Sequence, residues 1–329
     1  MTTITERTVT TNGVELYVRE AGPADGPVVI LSHGFPELSY SWRHQIPVLA
    51  DSGYHVIAPD QRGYGRSSRP QDVTEYDIVH LTDDLLGLAD DAGAERAAFV
   101  GHDWGAIVAW QMSVLHPARV AGVAGLSVPF QRRGSSAPMA RMRERFAGMF
   151  FYILYFQEPG VAEADLEADP GATMRRMLSM GSSSTGGVGN RSGRDGGFGG
   201  FADDGVGFVE RLAEPERLPD WLPQRELEVY AEAFRRTGFR GALNWYRNFD
   251  RNWELTPQLD GAKVEVPSLF IGGSDDPVLA TTPTSVMDGW LTDHRGTIVL
   301  EGAGHWIQQE RAAEVNAALT DFLSSVCVP

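Results

Sequence analysis

The sequence predicts an α/β fold: a mostly parallel sheet of about eight strands with a helical segment inserted into it. Three observations predict it. Short apolar runs alternate with stretches of helical spacing through the first 129 residues, the rhythm stops after Pro129 and resumes near Val266, and a hairpin signal precedes the first parallel unit.

The hairpin is Asn12-Gly13 between two alternating runs, Thr5 to Thr11 and Val14 to Glu20, so the sheet begins antiparallel. Buried-strand runs follow at Val28 to Ser32, His55 to Pro59, Ala97 to Gly101 and Val120 to Ser127. Between them, Tyr76 to Asp91 sets Ile78, Leu81, Leu85, Leu86 and Ala89 on one helical face. Strands return at Val266 to Ile271 and Thr297 to Leu300, and an amphipathic helix from Gln309 to Leu323 closes the unit. Residues 1–129 and 258–329 therefore read as the α/β core, and 130–257 as a helical cap. Inside the cap, 181–207 is dense in Gly, Ser and Asp and too poor in apolar surface to offset its ordering entropy. We read it as a mobile loop without a binding role, since no strand leads into it and no phosphate-loop lysine follows. The sequon Asn190-Arg191-Ser192 carries no weight without a secretory signal.

With 329 residues the chain can bury a full core and carry a smaller insertion. A formal charge of −16 argues against nucleic acid and anionic membrane surfaces as partners. The opening MTTITERTVT has no signal-peptide pattern and no apolar run reaches the ~20 residues of a membrane span, so a cytoplasmic location is expected. The lone cysteine, Cys327, cannot form an internal disulfide and reads as a packing residue.

The chemistry centres on Gly101-His102-Asp103-Trp104-Gly105, between a strand and an apolar helix. Small-x-nucleophile-x-small is the pattern of a nucleophile elbow, and here the central residue is Asp103. A serine needs a base to remove its proton, whereas a carboxylate is ionised near neutral pH and can displace at saturated carbon directly. A helix N-cap aspartate is the plain alternative; the flanking glycines and the groups downstream favour the nucleophile. His102, beside it on the turn, should point away and reads as a packing residue or as a support behind the reacting groups. Gly302-Ala303-Gly304-His305-Trp306 follows the last strand and supplies His305 as base, in the chain order nucleophile, acid, histidine. The orienting acid is Asp275 or Asp276, both just past the preceding strand. In His33-Gly34-Phe35-Pro36-Glu37 the N–H of Phe35, with that of Trp104, forms the expected oxyanion hole. His33 reads as a brace for that turn, and Glu37 equally as a polar partner near the water site or an ordinary loop residue.

Taken together, HGFPE with YSWRHQ at 40–45, PDQRGYGRSS at 59–68, GHDWG, FYILYFQEPG at 151–160, LNWYRN at 243–248 and GAGHW resemble the epoxide hydrolases of the α/β-hydrolase superfamily, above all the actinobacterial epoxide hydrolase A type. The resemblance covers nearly the whole chain. It implies an α/β-hydrolase fold, selects Asp276 because the acid directly before Pro-Val matches the family arrangement, and assigns Tyr152 and Tyr246 as donors to the epoxide oxygen. Tyr155, Phe150, Phe151 and Phe156 are then aromatic neighbours. Phenols suit the task, because opening an epoxide creates an alkoxide that must be met by an acid. Phe35, Trp104, Tyr152 and Tyr246 would line the substrate site, the partners being a small apolar epoxide and water. No metal or organic cofactor is expected, and a homodimer rests on analogy alone. The looser Gly-rich loop departs from the family pattern and leaves the local cap shape open.

Two rivals share these residues. A haloalkane dehalogenase uses the same nucleophile and base but needs side-chain donors for the halide; Trp104 fits and Phe35 does not. A non-catalytic ligand receptor on the same fold is the rival from another class, and an intact catalytic set argues against it.

Overall fold

The structure, a computed structural model, describes residues 2–182 and 199–327. Among the described residues ten strands follow in chain order: β1 (Thr5–Thr11), β2 (Val14–Ala21), β3 (Val28–Ser32), β4 (His55–Pro59), β5 (Ala97–His102), β6 (Val120–Leu126), β7 (Met149–Phe151), β8 (Gly199–Ala202), β9 (Val264–Gly273) and β10 (Leu291–Leu300). Eight of them form one sheet in the order β1-β2-β4-β3-β5-β6-β9-β10. The β1–β2 and β2–β4 pairs are antiparallel and all the others parallel. Asn12 and Gly13 both take positive φ, 45° and 75°, as a two-residue hairpin turn of this kind requires.

Burial of both sheet faces explains why the central strands are unbroken apolar runs. In β3, Val28 and Ile30 enter one hydrophobic core with Leu81, Leu85 and Met112. Val29 and Leu31 point to the other, with Leu49, Leu319 and Leu323. The helices Ile78–Asp91 and Trp104–Leu115 thus feed one face, and Gln45–Asp51 and Ala312–Val326 the other. At the C-terminal ends of the parallel strands the loops after β3, β5, β9 and β10 converge, and there Phe35, Asp103, Trp104, Asp276 and His305 lie.

Between β6 and β9 the described chain is mainly helical, including Pro138–Arg145, Pro170–Met180, Gln224–Thr237 and Arg240–Arg247. One correction concerns the Gly-rich stretch. Gly199–Ala202 is a strand pairing antiparallel with β7, so 181–207 is not irregular throughout; three to four residues without alternation leave no periodicity to read. Residues 183–198 of that loop, with the Asn190 sequon, lie outside the described residues. The closing helix is also two pieces, Ile307–Glu310 and Ala312–Val326, broken at Arg311.

Candidate active site

Asp103 caps the junction of β5 and the helix Trp104–Leu115 with φ 52° and ψ −119°, a conformation that costs an L-residue roughly 1–3 kcal/mol. The surroundings leave no alternative. A Cβ on Gly101 would lie 2.0 Å from the Gly105 carbonyl oxygen, and one on Gly105 would lie 2.0 Å from that of Ser32. Gly34 is held to glycine by Asp103, since its Cβ would meet Asp103 Cβ at 2.3 Å. That closeness lets the Phe35 N–H donate to Asp103 Oδ1 at 2.8 Å. The Phe35–Pro36 bond is cis. Trp104, the first residue of its helix, has a backbone N–H with no acceptor inside the helix.

His305 stands between two carboxylates. Its Nδ1 lies 3.0 and 3.1 Å from the two oxygens of Asp276, and its Nε2 is 3.6 Å from Asp103 Oδ2. Asp276 is buried and held in turn by the Val278 N–H at 2.8 Å. Asp275 is exposed and turned to Ser274, so of the two candidate acids only Asp276 reaches the imidazole. Burial alone would lower the pKa of His305, but Asp276 and then Asp103 outweigh it and hold the imidazolium well above its ordinary range.

Across a narrow cavity from these groups sit Tyr152 and Tyr246, their ring centroids 5.9 Å apart. Tyr246 packs edge-on against Trp104 and Phe35, at 5.0 and 5.4 Å. Burial first, then Asp103 and Asp276, push the Tyr152 phenol up. Tyr246 is raised by burial and by its neighbours Tyr152 and Asp103. Both therefore stay protonated and able to donate. Phe35, Met177, Phe208 and Trp306 complete the wall, and the cavity of about 20 Å³ holds roughly one water. Tyr155 turns outward to Asp165 and Phe156 is buried behind the tyrosines, as packing neighbours.

Beneath the elbow lies a network that sequence reasoning left open. Glu37 is fully buried; its Oε2 takes the Gly34 N–H at 3.0 Å and pairs with His102 Nδ1 at 2.7 Å, while Oε1 takes the amides of Gln308 and Gln309. His102 Nε2 reaches the His305 backbone carbonyl at 2.8 Å. One carboxylate thus ties the Phe35 turn, the elbow and the His305 loop together, and of the two readings of His102 the hydrogen bonds favour a support behind the reacting groups. Burial would raise the Glu37 pKa, but His102, the Gly34 N–H and His33 overcome it and bring it from 4.5 down to about 2. A carboxyl depressed on folding lends stability above its unfolded pKa that is lost as pH falls through its folded one. Stability is accordingly expected to drop by ~3 kcal/mol between pH ~5 and ~2 on account of this group. Glu37→Ala should remove that acid-sensitive share and cost about 3–5 kcal/mol at neutral pH, measured by chemical denaturation across the range.

The fold and the sequence recur among known proteins. The model of the alpha/beta hydrolase fold family matches residues 27–312. Epoxide hydrolase A of Mycobacterium tuberculosis (strain ATCC 25618 / H37Rv) is 56% identical over 322 residues, 98% of each chain. Epoxide hydrolase 3 of Siraitia grosvenorii is 38% identical, over 96% of this chain and 97% of its own. The crystal structure of Epoxide Hydrolase A from Mycobacterium thermoresistibile, 54% identical, superposes with a TM-score of 0.92 over 98% of this chain and 99% of that one. On fold, coverage and identity alike, the chain belongs to the epoxide hydrolases of the α/β-hydrolase superfamily.

Proposed function

We propose that the chain converts an apolar epoxide to a vicinal diol through an ester formed on Asp103, with residues 130–257 acting as a cap that carries Tyr152 and Tyr246. The observation that supports this reading best is the placement of one carboxylate, Asp103, between an imidazole and two phenols across a single cavity. With Oδ1 held by the Phe35 N–H, Oδ2 is free to attack a ring carbon. A carbon–oxygen bond forms, the ring carbon–oxygen bond breaks, and the oxygen takes hydrogen bonds and then a proton from the tyrosines. Esterification removes the negative charge beside His305, one of the causes of its raised pKa. Its proton is then held less tightly and goes, through solvent, to reprotonate the tyrosinate, and neutral His305, oriented by Asp276, deprotonates water for attack on the Asp103 carbonyl carbon. The N–H groups of Phe35 and Trp104 meet the resulting oxyanion; its collapse breaks the ester carbon–oxygen bond, and the departing diol oxygen takes the proton that His305 drew from water. Because the cavity holds only about one water, an epoxide must displace cap side chains such as Met177 and Phe208 on binding.

The tyrosines give the test of reaction type. Tyr246→Phe should slow alkylation sharply, and the Tyr152→Phe, Tyr246→Phe double variant should be nearly inactive, since general acid assistance is worth ~10² to 10⁴ in rate. Rapid-quench measurement of the alkylation step reads this directly; a wild-type rate in the double variant removes the phenols from the mechanism. In the same assay 1-haloalkanes should release little halide, because Phe35 offers no side-chain donor. The reverse preference would point to a dehalogenase, and binding without turnover of either to a receptor.

A further inference from the structure

The overall charge of −16 is unevenly spread. Between residues 132 and 145 the chain has five arginines, Arg132, Arg133, Arg141, Arg143 and Arg145, against one acid, Glu144. Elsewhere arginines sit with carboxylates: Arg175 and Arg176 share Glu214, and Arg235 has Glu228 and Glu232. None of the five has a carboxylate at ion-pair distance among the described residues. Three lie against rings instead, Arg132 over Trp290, Arg133 over Trp253 and Arg145 over Phe146. Arg141 and Arg145 are one helical turn apart on Pro138–Arg145, a like-charge spacing that destabilises a helix standing alone. The helix dipole favours Arg143 and Arg145 near its C-terminal end, yet gives no reason for Arg132, Arg133 or Arg141.

An apolar fringe borders the charge. Met139 is buried beneath the helix, while Met142 and Phe146 are partly exposed and Met149 is 37% exposed. Phe146 stacks on Phe151 at 4.0 Å, and Phe151 packs on Tyr152 at 5.2 Å, so this surface is two rings away from the active-site cavity. Guanidiniums beside exposed methionine and phenylalanine match the boundary between anionic headgroups and acyl chains. A nucleic acid fits less well, because a long polyanion would also meet the acidic remainder, whereas a flat bilayer engages one face and screening confines repulsion from the rest to about 10 Å.

We propose that residues 132–149 form a docking surface for an anionic phospholipid bilayer, which places the cap at the surface where apolar epoxides partition. Binding is reversible and salt-dependent, and it does not depend on the catalytic assignment. The test is co-sedimentation of the full chain at about 0.1 M salt, where screening is about 10 Å, with vesicles of phosphatidylcholine alone or mixed with phosphatidylglycerol. Wild type should bind only the mixed vesicles and be released as the salt is raised further. With about fivefold in affinity per basic residue near an anionic bilayer, the triple variant Arg141→Gln, Arg143→Gln, Arg145→Gln should bind roughly 100-fold more weakly. Unchanged turnover of a water-soluble epoxide reports that this variant is folded; if it is not, Arg141→Gln alone, with an expected fivefold loss, serves in its place. No binding of wild type to the mixed vesicles, equal binding by the variants, or tighter binding to a single-stranded polynucleotide than to vesicles would each overturn the proposal.

Discussion

Mixing the His305→Gln variant with an epoxide is expected to add one substrate mass to the protein and to stop there. Attack by Asp103 needs no proton removed, so the first step survives the loss of the imidazole. The second step does not, because water at neutral pH is a poor nucleophile without a base. Loss of His305 also removes the cationic neighbour 3.6 Å from Asp103 Oδ2, so alkylation is expected to slow. The adduct still accumulates, since its one efficient exit is gone. Intact-mass measurement followed by peptide mapping should place it on Asp103. Turnover should fall by ~10⁴-fold or more, in line with the loss of an essential base.

Asp103→Gly is expected to move activity and stability in opposite directions. Without the carboxylate there is nothing to attack the ring, and activity should fall by ~10⁴-fold or more with no adduct formed. The backbone at 103, however, has φ 52° and ψ −119°, which glycine adopts without the penalty a side chain incurs. Relief of that strain is worth roughly 1–3 kcal/mol, so thermal denaturation should show a Tm equal to or above that of wild type. The imidazole of His305 loses one of the two anions that raise its pKa, and its NMR titration should shift to lower pH than in wild type. A variant both inactive and strongly destabilised would assign Asp103 a structural N-cap role instead.

The parts of this molecule that were legible in the sequence are those that local chemistry dictates. Strands β3 to β6 are unbroken apolar runs because both sheet faces are covered, and Asn12-Gly13 admits the turn geometry that few other pairs do. The elbow was readable because Gly101 and Gly105 have no space for a Cβ. Spacing alone could not separate Asp275 from Asp276, which are adjacent on one turn; the resemblance chose Asp276, and the structure turns it to His305 while Asp275 faces solvent. Pairing Tyr152 with Tyr246 likewise needed the resemblance, since 94 residues separate them and nothing local in either segment marks the other. The tie between Glu37, His102 and the amides of Gln308 and Gln309 escaped because it joins loops far apart in the chain. Its one local sign was the acid directly after Phe35-Pro36, in a loop that everything else marks as buried. Strands β7 and β8 were missed for the opposite reason, being too short to show a period.

The claim at the centre of this account is that the diol oxygen comes from the protein and not directly from water. Wild-type enzyme in excess over an epoxide, reacted for a single turnover in ¹⁸O-labelled water, tests it with no substitution at all. Attack by Asp103 predicts an unlabelled diol from that first turnover, with ¹⁸O entering the Asp103 carboxylate when water hydrolyses the ester. A labelled first-turnover diol and an unlabelled Asp103 would contradict the covalent route and leave His305 activating water to open the ring directly.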